Sequence, residues 1–340
     1  MILVTGATGL VGGNLLWYLL QDNERVTAIC RESSNLKSLR TIFSFYTSNP
    51  DKYLSRIDWR LADILDKESI EKAICSVTTI YHCAAVVSLG DNAEILLKTN
   101  VIGTKNIVQA ALKANVRKFC FVSSIAACGK EKIKQNIDEN SAWTIDSNRS
   151  LYSQSKYDSE QEVWKGIKLG LKAVIVNPGV ILGVSGNNNG SAQLFSQVQK
   201  GLLFYTNGGS GYVDVRDVAK AMIQLTDSDI LSERFILVAE NCSHKDILCH
   251  MAVGFGKRKP IIPIGKKTLW LVGYIFEILG KVLCFRPLID RGTARSATNR
   301  EYYSSKKIEK AINFKFTPIE ECINDVCKFL LKRTITKLTE

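Results

Sequence analysis

Short apolar runs rich in β-branched residues alternate with longer amphipathic stretches over the first 185 residues. The runs predict strands at 2–5, 25–30, 58–61, 79–82, 118–123 and 172–177. The stretches between them, at 11–20, 69–74, 92–113 and 154–169, repeat their apolar positions with helical spacing. Strand runs this apolar are covered on both faces, which predicts a parallel sheet with helices on each side. Right-handed crossovers make such a sheet doubly wound. Residues 184–211 are rich in Gly, Asn and Ser and read as a loop leaving the sheet. Residues 212–240 read as a return to it, with a late strand at 234–239, and 241–340 are more irregular.

Composition changes this picture in one place. The formal charge is +12, but residues 251–340 carry 18 Lys/Arg against 8 Asp/Glu. A nucleic-acid surface would have to lie in that last quarter, which has the charge but no recognised motif, so no nucleic-acid partner is expected. The quarter also holds an apolar stretch at 268–289 with Glu277, Lys281 and Arg286 inside it. Each apolar residue gains roughly 0.3–0.6 kcal/mol in a bilayer and a central charge costs about 2.5–3.5. A membrane span is therefore not expected. A buried helix over a pocket and a helix on a membrane surface both remain open, the second through residues 266–291 with Lys266, Lys267, Arg286 and Arg291 at its flanks. Met1 to Val4 run straight into Thr5-Gly6 without a basic leader, and the ten cysteines form no C-x-x-C pair and sit mostly in apolar runs. Both point to a reducing, cytoplasmic setting. The three histidines have no metal-ligand spacing, so no metal is expected.

The chemistry begins at the first strand. Thr5-Gly6-Ala7-Thr8-Gly9-Leu10-Val11-Gly12 contains G-x-x-G-x-x-G between an apolar strand and a helix with Leu15, Leu16 and Leu19 on one face. Gly6 serves the tight turn, Gly9 lets the backbone approach a pyrophosphate, and Gly12 allows close helix–strand packing. The second strand ends at Arg31, where an acidic residue would hold the ribose 2′-hydroxyl of NAD. A guanidinium suits a 2′-phosphate instead, so NADP(H) is favoured over NAD, with Glu32 the neighbour that opposes this reading.

Tyr152-Ser153-Gln154-Ser155-Lys156 sets a tyrosine and a lysine one helical turn apart on one face. Tyr302/Lys306 and Tyr303/Lys307 share that spacing, so position decides. Tyr152 follows the fifth strand, which ends in Ser123-Ser124, and ligands bind at such strand ends. The 302–307 pairs read as surface charge.

Together with Asp63, His82-Cys83-Ala84-Ala85, Asn100-Val101-Ile102-Gly103-Thr104, Pro178-Gly179-Val180-Ile181-Leu182-Gly183 and Tyr212-Val213-Asp214-Val215-Arg216-Asp217, these marks run in order through most of 1–240. In that order they resemble the extended short-chain dehydrogenase/reductase superfamily, of the epimerase/dehydratase type. The resemblance implies a Rossmann domain over 1–183, completed by 212–240. A smaller, mostly helical substrate-binding part would comprise 184–211 and 241–340. It implies Tyr152 as acid/base, Lys156 lowering the phenol pKa and holding the nicotinamide ribose, and Ser124 on the substrate oxygen. Asn100 would support the active-site helix. Asp63 and Ile64 would flank the adenine, Ala84 and Ala85 would line the cofactor, and Pro178, Gly179 and Val180 would lie against the nicotinamide. Relatives often dimerise through two long helices, here near 92–113 and 154–169, so a homodimer is expected.

Within the resemblance, the reaction is narrowed by what is missing. A sugar-nucleotide dehydratase places an acidic pair after the active-site hydroxyl, where this chain has Ile125-Ala126. A nucleotide-sugar epimerase places an arginine before the Val-Asp-Val stretch, where this chain has Gly209-Ser210-Gly211-Tyr212. The candidate lid is apolar: Leu202, Leu203, Phe204, Tyr205, then Trp270, Tyr274 and Phe276. Such walls suit a hydrophobic substrate. The expectation is an NADP(H)-dependent carbonyl reductase or alcohol dehydrogenase resembling dihydroflavonol 4-reductase and 3β-hydroxysteroid dehydrogenase relatives, with an epimerase as the alternative.

Overall fold

The computed structural model describes residues 1–87, 93–129, 136–143, 149–187, 190–265, 268 and 298–339. Its strands, in chain order, are β1 (Ile2–Thr5), β2 (Val26–Cys30), β3 (Ile57–Leu61), β4 (Thr79–His82), β5 (Lys118–Val122), β6 (Ala173–Pro178), β7 (Val180–Leu182), β8 (Phe204–Thr206), β9 (Gly209–Asp214), β10 (Glu233–Leu237), β11 (Glu240–Ser243) and β12 (Ile262–Ile264). Seven of them form one parallel sheet in the order β3-β2-β1-β4-β5-β6-β10. The fold is the expected doubly wound Rossmann arrangement. The order reverses between β1 and β4, which opens a ligand crevice beyond their carboxyl ends.

The apolar strand runs are explained by two cores. Along β5, Phe119 and Phe121 enter one and Cys120 and Val122 the other. Along β6, Ala173 and Ile175 alternate with Val174 and Val176 in the same way. On one face lie α1 (Leu10–Asp22), α2 (Lys37–Tyr46) and α9 (Val215–Asp227). On the other lie α4 (Lys67–Ala73), α6 (Gly103–Lys113) and α7 (Leu151–Lys168). The short α3 (Asp51–Leu54) and α5 (Ala93–Leu97) connect these layers.

A third core is built by α8 (Ser191–Gln199), α10 (His244–Gly254) and, beyond α11 (Lys306–Ile312), α12 (Ile319–Thr339), with Phe195, Met251 and Ile323 fully buried. It lies against a small sheet ordered β11-β9-β7, while β8 pairs with β12. Arg216 joins the parts: its Nε and Nη2 reach Asp214 Oδ2 at 2.8 and 2.6 Å, and its Nη1 reaches Asp325 Oδ2 at 2.8 Å. Asp217 likewise accepts from the Thr317 amide at 2.6 Å. The last helix of the Rossmann layer is thus tied to the C-terminal helix by carboxylates.

Four sequence expectations change. The helix expected over 92–113 is interrupted: α5 gives way to a π-helical turn at Lys98–Ile102 before α6 begins. The segment 184–211 is not one loop, because α8, β8 and the start of β9 fall inside it. Within 212–240, β9 joins the small sheet and only β10 returns to the large one. Tyr303 is not surface charge: it is buried, packs with Ile125 and Ile137, and its hydroxyl donates to Glu301 at 2.8 Å. The apolar stretch at 268–289, including Trp270, Tyr274 and Phe276, and the flanks 266–291 lie outside the described residues, Thr268 aside. Among the described residues no helix is long and apolar enough to cross a membrane.

The β1–α1 turn carries the tightest backbone constraint. Gly6 has φ +66°, and a Cβ there would come within 2.6 Å of the Ala84 amide nitrogen. A Cβ on Gly12 would collide with the Gly6 carbonyl oxygen, which is backbone and cannot swing away. Gly6→Ala is expected to destabilise the protein by about 1–3 kcal/mol, the cost of one strained residue. Thermal unfolding checks this, and an unchanged Tm would contradict it.

Candidate active site

The glycine turn presents open donors. Gly9 stands at the N-terminus of α1 with no side-chain cap, so the first-turn N–H groups have no side-chain partner. The turn is braced from below. The Gly9 amide donates to Gly6 O at 3.0 Å, and the Thr8 carbonyl accepts from Ser38 Oγ at 3.3 Å. Leu10 O accepts from the buried Asn14 amide at 2.7 Å, and Val11 packs on the first core.

The strand ends beside the turn are pinned by a polar bridge. Thr5 Oγ1 and His82 Nδ1 are 2.7 Å apart, His82 Nε2 and Thr104 Oγ1 are 3.0 Å apart, and Thr5 Oγ1 accepts from the Ala84 amide at 3.2 Å. Burial, with the Lys156 charge adding to it, pushes His82 down to about 3. The imidazole is therefore neutral and serves as a bridge, and the half-buried Ala84 and Ala85 follow it, Ala84 packing against the second core.

The remaining cofactor candidates surround it. Arg31 is exposed just past β2, in a turn closed by Ser34, whose Oγ accepts from the Arg31 amide at 2.9 Å. Asp63 Oδ1 accepts from the Leu65 amide at 2.9 Å, so Asp63 shapes a turn while Asp66 caps α4. The Ile64 side chain packs on Gly103 and its carbonyl accepts from Asn106 at 2.9 Å. Only its backbone rim can flank a base. Pro178 is the buried end of β6, the Gly179 amide donates to Leu237 O at 3.0 Å, and Val180 packs partly into the third core.

The hydroxyl, phenol and ammonium groups converge at the ends of β5 and α7. Ser124 caps a short 3-10 turn at Ile125–Ala127, its Oγ accepting from the Ala126 amide at 3.1 Å. Ser150 caps α7, and Ser153 Oγ donates to Ala126 O at 2.6 Å, which pins the helix start to that turn. Tyr152 is thereby held within hydrogen-bonding reach of the Ser124 side chain. Lys156 is 4% exposed and donates to Val122 O at 3.0 Å. Asn100 sits in the π-helical turn; its Nδ2 donates to Val86 O and to Ser155 Oγ, both at 3.0 Å. Its Oδ1 accepts from the Val86 amide at 2.8 Å. One side chain thus joins the loop after β4 to α7, and π-helical turns recur at functional sites for this kind of reason.

One expectation is corrected. The phenol of Tyr152 is not lowered in the free protein: burial pushes it up, and the hydrogen bond with Ser124 opposes that only in part. The Lys156 ammonium directs one of its three N–H groups to the Val122 carbonyl. Lys156 itself is lowered to about 8 by burial, against opposing contributions from Cys83 and Glu160.

The sequence reading missed Glu160. It is 1% exposed, and its carboxylate accepts from Ser123 Oγ at 2.7 Å, Asn177 Nδ2 at 2.8 Å, and Trp164 Nε1 and Arg234 Nη1, each at 3.2 Å. The signal was present: Glu160 follows Lys156 by four residues on the helix face that also carries Tyr152.

A pH dependence follows from Lys156. Its folded pKa lies below the ordinary lysine value, so the unfolded chain binds more protons between about 8 and about 10.4. The burial penalty is complete below about 8 and fades as the pH rises through that window. Relative to Lys156→Met, the wild type should gain stability from about pH 8 to 10.4, by up to about 3 kcal/mol at 1.36 kcal/mol per pKa unit. Urea unfolding of both proteins across pH measures this, and a difference independent of pH would contradict it.

The NAD dependent epimerase/dehydratase family matches residues 2–236. A Synechocystis sp. protein named as a dihydroflavonol 4-reductase is 29% identical over 339 residues, covering 95% of this chain and 92% of its own. Cinnamoyl-CoA reductase 1 of Petunia hybrida is 26% identical, covering 98% and 92%. Among solved structures, gox2253 superposes with a TM-score of 0.81 at 25% identity, covering 98% of both chains. UDP-glucose 4-epimerase of Thermotoga maritima, at 17% identity, gives 0.77 with 98% and 99% covered and shares the fold. With the Rossmann sheet, the glycine turn and two thirds of its length matched, this chain belongs to the NAD dependent epimerase/dehydratase family.

Proposed function

We propose that the protein is an NADP(H)-dependent oxidoreductase that moves a hydride between the nicotinamide and a carbonyl or hydroxyl carbon of a hydrophobic small molecule. The observation that carries this reading is the convergence of Ser124, Tyr152 and Lys156 at one strand end. Bound NADP(H) would supply the hydride. The uncapped first turn of α1 fits its pyrophosphate, exposed Arg31 its 2′-phosphate, and Lys156 its nicotinamide ribose.

The chain's own groups then handle the proton. Burial keeps the Tyr152 phenol neutral, which suits a general acid that donates to a carbonyl oxygen during reduction. Ser124 would donate a hydrogen bond to the same oxygen. Proton donation leaves a phenolate, and the Lys156 ammonium, one helical turn away, offsets that charge below about pH 8. The turn after Ser124 supports reduction over dehydration, because Ile125 and Ala127 are buried and bring no acid or base. Leu203 and Phe204, each 46% exposed at β8, offer apolar area to a substrate.

The alternative, a nucleotide-sugar epimerase, draws on one observation. Arg300 is brought beside Gly209 by a β-bridge and donates to Asn207 O at 2.9 Å, which puts a guanidinium next to the glycines at 209–211. NADPH oxidation against a panel running from UDP-glucose to aromatic and terpenoid ketones separates the two readings.

Tyr152→Phe is expected to lower turnover at least about 100-fold, the low end for a lost general acid, with NADPH affinity near wild type. Retained turnover would refute the acid role. Arg31→Glu is expected to weaken NADPH at least about tenfold more than NADH, the equivalent of about 1.4 kcal/mol. Fluorescence titration with both nucleotides decides, and equal losses would remove Arg31 from 2′-phosphate recognition.

A further inference from the structure

Four polar groups meet at Glu160, and two of them lead to the candidate catalytic groups. Asn177 Nδ2 donates both to Glu160 Oε2 at 2.8 Å and to the Ser124 carbonyl at 3.0 Å. Ser123, the neighbour of Ser124, donates to the same oxygen at 2.7 Å. The carboxylate therefore holds the backbone on both sides of the Ser123–Ser124 peptide. Along α7 it stands four residues past Lys156, so its charge lies one turn behind the ammonium on the same buried face. Its other oxygen takes Arg234 from β10 and Trp164 from α7. A buried carboxylate is costly unless fully hydrogen-bonded, and four donors meet that requirement here.

We propose that Glu160 is a positioning residue for the candidate active site, fixing the Ser124 backbone through Ser123 and Asn177 and placing its negative charge behind Lys156. This rests on the reductase reading for its consequence in turnover, but not for its effect on Lys156. The ionisable groups around the pair are His82 and Cys83 from β4 and its end, Tyr152 from α7, and Cys128, Glu139 and Arg234 on the side of Glu160. His82 is neutral, and burial pushes both cysteines up, so they are uncharged near neutrality. Among the described residues, Glu160 is then the anion that acts on Lys156. Arg234 is held on the far side, where it also donates to the Glu139 carbonyl.

The test uses the full chain and needs no substrate. The stability difference between Lys156 and Lys156→Met is measured by urea unfolding across pH, in wild type and in the Glu160→Gln background. Loss of the carboxylate should move the onset of the pH-dependent gain to lower pH by about one unit, the lower end for a nearby opposite charge. An onset unchanged by the substitution overturns the proposal. If Glu160→Gln does not fold because Arg234 is left unpaired, Glu160→Gln with Arg234→Met removes both charges and should show the same shift. An unshifted onset there overturns the proposal equally. In turnover of whichever panel compound the wild type reduces, Glu160→Gln should lower kcat and move the alkaline limb to lower pH by the same interval. NADPH affinity at pH 6.5 should stay within about threefold. An alkaline limb that stays in place would contradict the link to Lys156. If no panel compound is reduced while the stability onset still shifts, the reductase reading fails and the placement of Glu160 stands.

Discussion

Burying the polar face of α7 is the constraint around which the molecule is organised. Ser155, Lys156, Ser159 and Glu160 are each at most 4% exposed, and an unpaired polar group at such depth costs more than a surface contact gains. Each finds a partner outside α7. Lys156 takes Val122 O at the end of β5, and Ser159 donates to Asn100 O in the π-helical turn. Ser155 accepts from Asn100, and Glu160 gathers donors from the ends of β5, β6 and β10. These partners exist only if the strands end in register and the helix that should follow β4 departs from α geometry at Asn100. The site is thus a consequence of satisfying one helix face.

The same bookkeeping separates supporting groups from reactive ones. His82 and Asn100 are fully engaged with protein, one as a neutral bridge and the other as a double-sided clasp. Tyr152 and Ser124 engage each other and keep capacity to spare. The first turn of α1 has no side-chain cap. Groups left with unused capacity cluster beyond the carboxyl ends of β1, β4 and β5, where the strand order reverses and a doubly wound sheet places its ligand.

Much of this was legible in the sequence, for physical reasons. Strands such as 118–123 were readable because both faces are apolar, and that requires two cores. The glycine turn was readable because Gly6 and Gly12 admit no side chain. What could not be read was non-local. Nothing in Lys98–Ile102 announces a π-helical turn, because its cause is the clasp of Asn100 on Val86 and Ser155. The helix α8 was hidden by the Gly/Asn-rich residues before it. Helical spacing marked Glu160, but three of its four donors lie 17 to 74 positions away in sequence. The phenol of Tyr152 was expected to be lowered by its lysine neighbour, whereas burial pushes it up against the opposing hydrogen bond of Ser124.

The central claim is net hydride transfer to a carbonyl carbon. It is tested most directly with NADPH deuterated at nicotinamide C4, incubated with the ketone that the panel identifies and, separately, with UDP-glucose. The account predicts stoichiometric NADPH oxidation and one deuteron in the product alcohol, with UDP-glucose unchanged. Epimerised nucleotide sugar with no net oxidation of cofactor and no deuterated alcohol from any ketone would contradict it.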